Sequence, residues 1–256
     1  PIKNLIKRVY MKSPAEGDRI DLGGKLPQFD AFAELAYREL NAGKLQWIRV
    51  ADPEALTLDD IQFATDSTIH AYQVKWSNQD KDDPFSYTDF KNLLAELVAG
   101  WKKLKSEYAA EGKFLSVHLL TNRPPSMHDN VKDNAGTKVG NFKEFLQEVW
   151  SKLKLGDPID PKWKVVAEEF LALTGLTGTE VTDFIKGLEI DLHFFPYGFG
   201  IGKKANRVKN DDLLKFSRFL LEKVADKKKV VHFTRAELIA GLEWNARFET
   251  YFNHEL

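Results

Sequence analysis

The chain contains no cysteine and only two methionines. The first absence removes disulfides, thiolate metal ligands and cysteine nucleophiles together, and it fits a reducing, cytoplasmic compartment. Any metal ion must then be held by Asp, Glu, His or carbonyl oxygen. No apolar run reaches the roughly 18–20 residues of a membrane span, and the opening Pro1–Lys12 lacks the unbroken apolar stretch of a signal peptide. Neither sign of charge dominates: 37 basic residues face 38 acidic ones, so the net charge of −1 sets up no overall field toward nucleic acid. Glycine (16) and proline (10) stay near ordinary usage, which argues against a low-complexity or fibrous chain. What remains is a globular composition, 43% hydrophobic over 256 residues, enough for one large domain or a domain with an appended subdomain.

Charge is uneven along the chain. Between Gly200 and Arg235 eleven Lys/Arg stand against four Asp/Glu, a local excess of +7, which is compatible with a polyanionic partner. Apolar periodicity predicts a helix over Gln28–Ala42, then strands at Gln46–Ala51, Asp60–Thr65 and Thr68–Trp76, with Asp66–Ser67 as the hairpin turn. A long amphipathic helix near Asp89–Ala110 carries the stripe Phe90, Leu93, Leu94, Leu97, Trp101, Leu104, and the strand Phe114–Thr121 follows. Helix, three strands, helix, strand implies an α/β core with a mixed sheet. Beyond an irregular polar stretch to Gly140, helices are expected at Phe142–Lys154, Pro161–Thr174 and Thr179–Gly187. A strand at Glu189–Phe195 and helices near Asp211–Ala225 and Thr234–Leu242 complete the reading. The domain is drawn as 1–230, with 231–256 as a C-terminal helix and connector.

The most informative constellation lies on the hairpin of the second and third strands, Asp59-Asp60-Ile61-Gln62-Phe63 and Ala71-Tyr72-Gln73-Val74-Lys75-Trp76. Period-two geometry puts Gln73 and Lys75 on one face and Tyr72, Val74 and Trp76 on the other. The hairpin brings Asp60 toward Gln73 and Lys75. A carboxylate, an amide oxygen and an ammonium at one strand end can bind a hard cation and hold a water near the lysine. In that arrangement Asp60 is the anionic ligand, Gln73 and the Val74 backbone carbonyl complete the protein's share of the shell, and Lys75 orients or helps deprotonate the water. Glu34, expected on the exposed side of the first helix, adds a carboxylate through water.

These segments, with Phe29–Glu39 and Leu119-Leu120-Thr121-Asn122-Arg123-Pro124, resemble the PD-(D/E)xK nuclease superfamily. They are most similar to the double-stranded DNA endonuclease domains that serve as effectors in bacterial anti-phage defence, at the N-terminus of STAND NTPases and in CBASS systems. The resemblance implies a restriction-endonuclease-like fold, Mg²⁺- or Mn²⁺-dependent cleavage of duplex DNA, and activation when a parent or associated domain oligomerises. The closing stretch Leu242–Leu256 is similar to the connector that joins such nucleases to a downstream NTPase or sensor domain, so a longer parent protein is expected. Where the superfamily places an acidic ligand before x-Lys, this chain has Gln73, and either Asp59 or Asp60 serves as principal ligand, with Asp60 favoured. The alternative is a catalytically inactive nuclease-fold module that binds DNA or a protein partner; a helical interaction domain with an accidental Asp/Gln/Lys pattern is a further rival.

Other features carry less. Gly198–Lys203 is one residue short of a phosphate-binding loop and Lys204 replaces its Ser/Thr, so it reads as a glycine turn offering Lys203, Lys204, Arg207 and Lys209 to a DNA backbone. The six histidines (70, 118, 128, 193, 232 and 254) lack zinc-ligand spacing, and Ser126 and Ser217 lack a nucleophile elbow. Phe216, Phe219 and Leu220 read as helix packing.

Overall fold

A computed structural model describes residues 31–50, 61–77, 83–194, 215–216, 219–220 and 231–242. Helix α1 (31–41) leads into β1 (Trp47–Val50), β2 (Ile61–Ala64) and β3 (Thr68–Val74); α2 (Tyr87–Glu107) then crosses over to β4 (Phe114–Leu120). A small antiparallel pair, β5 (Val131–Lys132) and β6 (Lys138–Gly140), precedes α3 (Phe142–Phe145), which continues through a π-helical stretch, Leu146–Trp150, into α4 (Ser151–Leu155). Helices α5 (Lys164–Leu173) and α6 (Thr179–Gly187), strands β7 (Leu188–Asp191) and β8 (Val231–Thr234), and α7 (235–242) complete the described chain.

The main sheet has the order β7-β4-β3-β2-β1-β8. The β1–β2 and β2–β3 pairs are antiparallel, β8 runs antiparallel to β1, and β4 and β7 continue from β3 in parallel. The chain is therefore an α/β protein with a mixed six-stranded sheet. That overturns the all-helical rival, because one sheet organises both hydrophobic clusters. No helix among the described residues is long and apolar enough to cross a membrane.

Alternation divides the strands cleanly between two faces. Ala64, Ile69, Ala71, Leu115, Val117 and Leu119 pack beneath α2, α5 and α6, with Phe90, Phe142, Phe145, Trp150 and Phe170 filling the layer. Ile48, Val50, Ile61, Phe63, Tyr72, Val74 and Leu120 pack on α1 (Ala31, Phe32, Ala33, Ala36), with Phe216, Phe219, Leu220 and Leu238 of α7. The helix-packing reading of the Phe216 stripe holds: all three residues are buried.

Helix α2 starts where its sequence says it must. The Ser86 hydroxyl accepts from the Asp89 N–H while the Asp89 carboxylate accepts from the Ser86 N–H, a reciprocal cap. The Asp129 carboxylate accepts from the Tyr87 N–H at 2.8 Å and the Phe142 N–H at 2.9 Å, tying the first turns of α2 and α3 together. Gly187, at the α6–β7 junction, is required by close approach: a Cβ there would meet the Leu115 carbonyl oxygen at 2.6 Å.

Two elements depart from the sequence reading. The polar stretch before Gly140 contains the β5–β6 pair, and residues 231–234, expected to belong with the helix and connector, form the edge strand β8 paired with β1 from Trp47↔Thr234 to Val50↔Val231. The residues after 230 thus contribute a strand to the same sheet. Short strands such as these gain their stability from the partner, and for β8 that partner is remote in sequence.

Candidate active site

The C-terminal ends of the parallel strands β3, β4 and β7 lie together at one edge of the sheet, the location at which open α/β sheets place their ligands. The β3 exit carries Gln73 and Lys75. Gln73 pairs with Leu119 and is 5% exposed, and strand alternation sets it with Ile69 and Ala71 on the α2 face. Tyr72 and Val74 point to the opposite cluster, as expected. Past the last strand pair, Val74↔Leu120, the ladder continues for one more bond, from the Lys75 N–H to the Leu120 carbonyl at 2.8 Å. The Lys75 side chain is half-buried.

Two consecutive residues at the β4 exit hold the backbone that follows β3 and the backbone that precedes α2. Asn122 accepts from the Ser77 N–H at 2.9 Å and donates to the Ser77 carbonyl at 2.6 Å. Arg123 donates to the Asp83 and Pro84 carbonyls at 2.6 and 3.0 Å, and to the Asp83 and Asp89 carboxylates at 2.8 and 3.1 Å; its guanidinium lies 5.2 Å from the Phe85 ring centre. On the other flank the Thr121 N–H donates to the Asp191 carbonyl, and the His193 N–H donates to the Arg123 carbonyl, with His193 in the left-handed region at φ 59°. The β4 exit is thus bonded both to the β3 exit and to the β7 exit.

Glu34 is not where the sequence reading put it. Its side chain is only 15% exposed and pairs with Arg38 one turn on at 3.5 Å. Helix α1 also packs on the sheet face opposite the one that carries Gln73. The i,i+4 spacing makes the Arg38 pairing a local property of α1. Asp59, Asp60, Lys203, Lys204, Arg207 and Lys209 lie outside the described residues. Among the described residues no group of three or more His, Asp or Glu side chains is placed to hold a metal ion. The oxygen donors at the β3 exit, the Gln73 amide and the Val74 carbonyl, match a hard divalent cation in donor type, and both are neutral.

The sheet also assembles a polar cluster that sequence reasoning missed. Parallel pairing sets His70 beside Ser116 and Tyr72 beside His118. His70 Nδ1 lies 3.1 Å from His118 Nε2, the Ser116 hydroxyl lies 3.0 Å from the same Nε2, and Asp191 Oδ2 lies 3.3 Å from His118 Nδ1. With the His118 Nδ1–H donating to Asp191, Nε2 accepts from the His70 Nδ1–H, while the Ser116 hydroxyl beside that nitrogen also has the Gly187 carbonyl to donate to at 3.4 Å. Tyr72 stacks on His118 at 4.2 Å and Phe63 on His70 at 4.9 Å. Burial, and then the neighbouring His118, push the His70 imidazole down to about 4. The order Ser116, His118, Asp191 is that of a nucleophile, base and orienting acid. Yet Ser116 is buried in mid-strand at 6% exposure, and a nucleophile must meet a substrate carbonyl, so the cluster is read as internal structure. The signal in the sequence was the Ser-x-His alternation on β4; its partner, His70, lies 48 positions away.

No protein-family model matches the chain, and no curated protein is significantly similar to it.

Proposed function

We propose that the chain is a metal-dependent endodeoxyribonuclease domain of restriction-endonuclease-like fold. In this reading it cleaves duplex DNA with little sequence preference as the effector of a bacterial anti-phage defence protein. The observation that carries the reading is topological. The order α1-β1-β2-β3-α2-β4 in a mixed sheet agrees with the helix, three strands, helix, strand order expected from the sequence, and that agreement supports the reading. That order leaves Gln73-x-Lys75 at the C-terminal end of β3. Gln73 and the Val74 carbonyl would hold Mg²⁺ or Mn²⁺ together with Asp60 or Asp59, and the ion when bound would supply neutralisation of the charge that grows on the phosphate. In this mechanism the Lys75 ammonium hydrogen-bonds the attacking water and holds it in line. The water oxygen forms a bond to phosphorus and gives up a proton to solvent, the bond to the ribose oxygen breaks, and that oxygen leaves with a proton taken from solvent. Copies clustered through a parent protein would present more phosphate-binding surface without any new contact.

The deciding experiment incubates the purified chain, alone and tethered on a tetrameric scaffold, with supercoiled plasmid, with and without Mg²⁺ or Mn²⁺. Lys75→Ala is expected to lower cleavage by roughly 10²–10⁴-fold with an unchanged melting temperature. Undiminished cleavage in EDTA, or by the variant, overturns the reading.

A further inference from the structure

We propose that Asn122 is the positioning residue for Lys75, an assignment that rests on the nuclease reading above. The strand that carries Lys75 stops pairing at Val74↔Leu120, and the Lys75 N–H makes the last ladder bond. Two residues further on, one side chain replaces the missing rung. The Asn122 amide takes the Ser77 N–H through its oxygen and gives an N–H to the Ser77 carbonyl, as a neighbouring strand would. Lys75 is therefore held between a backbone bond at its own N–H and a two-pronged clamp on Ser77.

Asn122 is 2% exposed, so water does not compete for the clamp. Only a carboxamide of this length serves: Asp keeps the acceptor and loses the donor, and Ala removes both. The next residue, Arg123, fixes the Asp83 and Pro84 carbonyls just before α2, so one dipeptide governs the backbone on both sides of the β3–α2 connection. Asn122 touches no reacting atom in this reading. Its contribution is the placement of the ammonium, for which a displacement of about 1 Å can cost on the order of 10²-fold in rate.

The test compares wild type, Asn122→Ala and Asn122→Asp by plasmid-cleavage kcat and KM with Mn²⁺ and by amide hydrogen exchange at Lys75 and Ser77. Asn122→Ala is expected to lower kcat on the order of 10²-fold at unchanged KM, with protection lost at both amides and kept at Val117 and Leu119 in the middle of β4. Asn122→Asp is expected to fall between the two. Wild-type kcat in Asn122→Ala, or unchanged protection at Ser77 and Lys75, overturns the positioning role and leaves the nuclease reading standing. A wild-type chain that cuts no DNA with Mg²⁺ or Mn²⁺, even on the tetrameric scaffold, overturns the nuclease reading and the catalytic role together. If Asn122→Ala loses protection throughout the molecule, Asn122→Asp, which keeps the acceptor for the Ser77 N–H, decides: wild-type kcat overturns the role, and reduced kcat at constant KM, with Val117 and Leu119 still protected, supports it.

Discussion

The two faces of the sheet are built from the same strands and differ in what they tolerate. Beneath α2 and α5 the packing is almost wholly hydrocarbon: Phe90 sits among Phe142, Phe145, Trp150 and Phe170, with the Phe170 ring stacked at 5.6 Å and the Trp150 ring edge-on at 6.1 Å. On the α1 face the apolar cluster borders a row of hydrogen-bonded polar groups, from His70 through His118 to Asp191, with Ser116 at the middle nitrogen. The first face gains stability from area and shape, which do not titrate. The second gains it from specific protonation states, so its contribution varies with pH. Gln73 at the β3 exit lies on the firm face beside Ile69 and Ala71, which suits a group that must be held in place.

The sharpest way to break the contrast is to empty the apolar face. Phe90→Ala is expected to cost about 3–5 kcal/mol, read as a lower midpoint in urea unfolding at any pH between 5 and 8. A loss below about 1 kcal/mol would mean that the aromatic layer collapses into the gap.

Acid probes the other face. The folded pKa of His70, about 4, lies below its ordinary 6.5, so the unfolded chain takes up the proton more readily. The contribution is fully present above pH 6.5 and is lost as pH falls toward 4. Over that window the gap corresponds to roughly 3 kcal/mol. His70→Phe, which retains stacking on Phe63, should make the fall in stability shallower by about that amount. Equal slopes in wild type and variant would remove His70 from the acid response.

The smallest effect sharpens the internal logic of the cluster. Ser116→Ala removes the hydroxyl beside His118 Nε2 and leaves the His70 contact in place, so it is expected to cost only about 1 kcal/mol. A loss of 3 kcal/mol or more, on the scale of a broken buried network, would show that Ser116, and not His70, is the principal donor.

Much of the frame was legible from local pattern. The α2 stripe from Phe90 to Leu104 and the β2–β3 hairpin around Asp66–Ser67 follow from periodicity and turn chemistry, and the structure has them within a few residues. The alternation of Gln73 against Tyr72 and Val74 was equally plain, because a strand's two faces are a property of its own backbone. Glu34 was misjudged as exposed, since whether a half-polar helix position is covered depends on what packs beside it.

By itself, then, the sequence determined the elements around the candidate site, the absence of thiol chemistry, and the strand face on which Gln73 lies. These are set by bonds and periods spanning a few residues. Tertiary structure alone decided that His70 meets His118 and Asp191, that β8 closes against β1, and that Asn122 finishes the rung beyond Lys75. Each depends on the register of strands brought together from distant parts of the chain, and a one-residue slip would turn every one of those side chains to the wrong face.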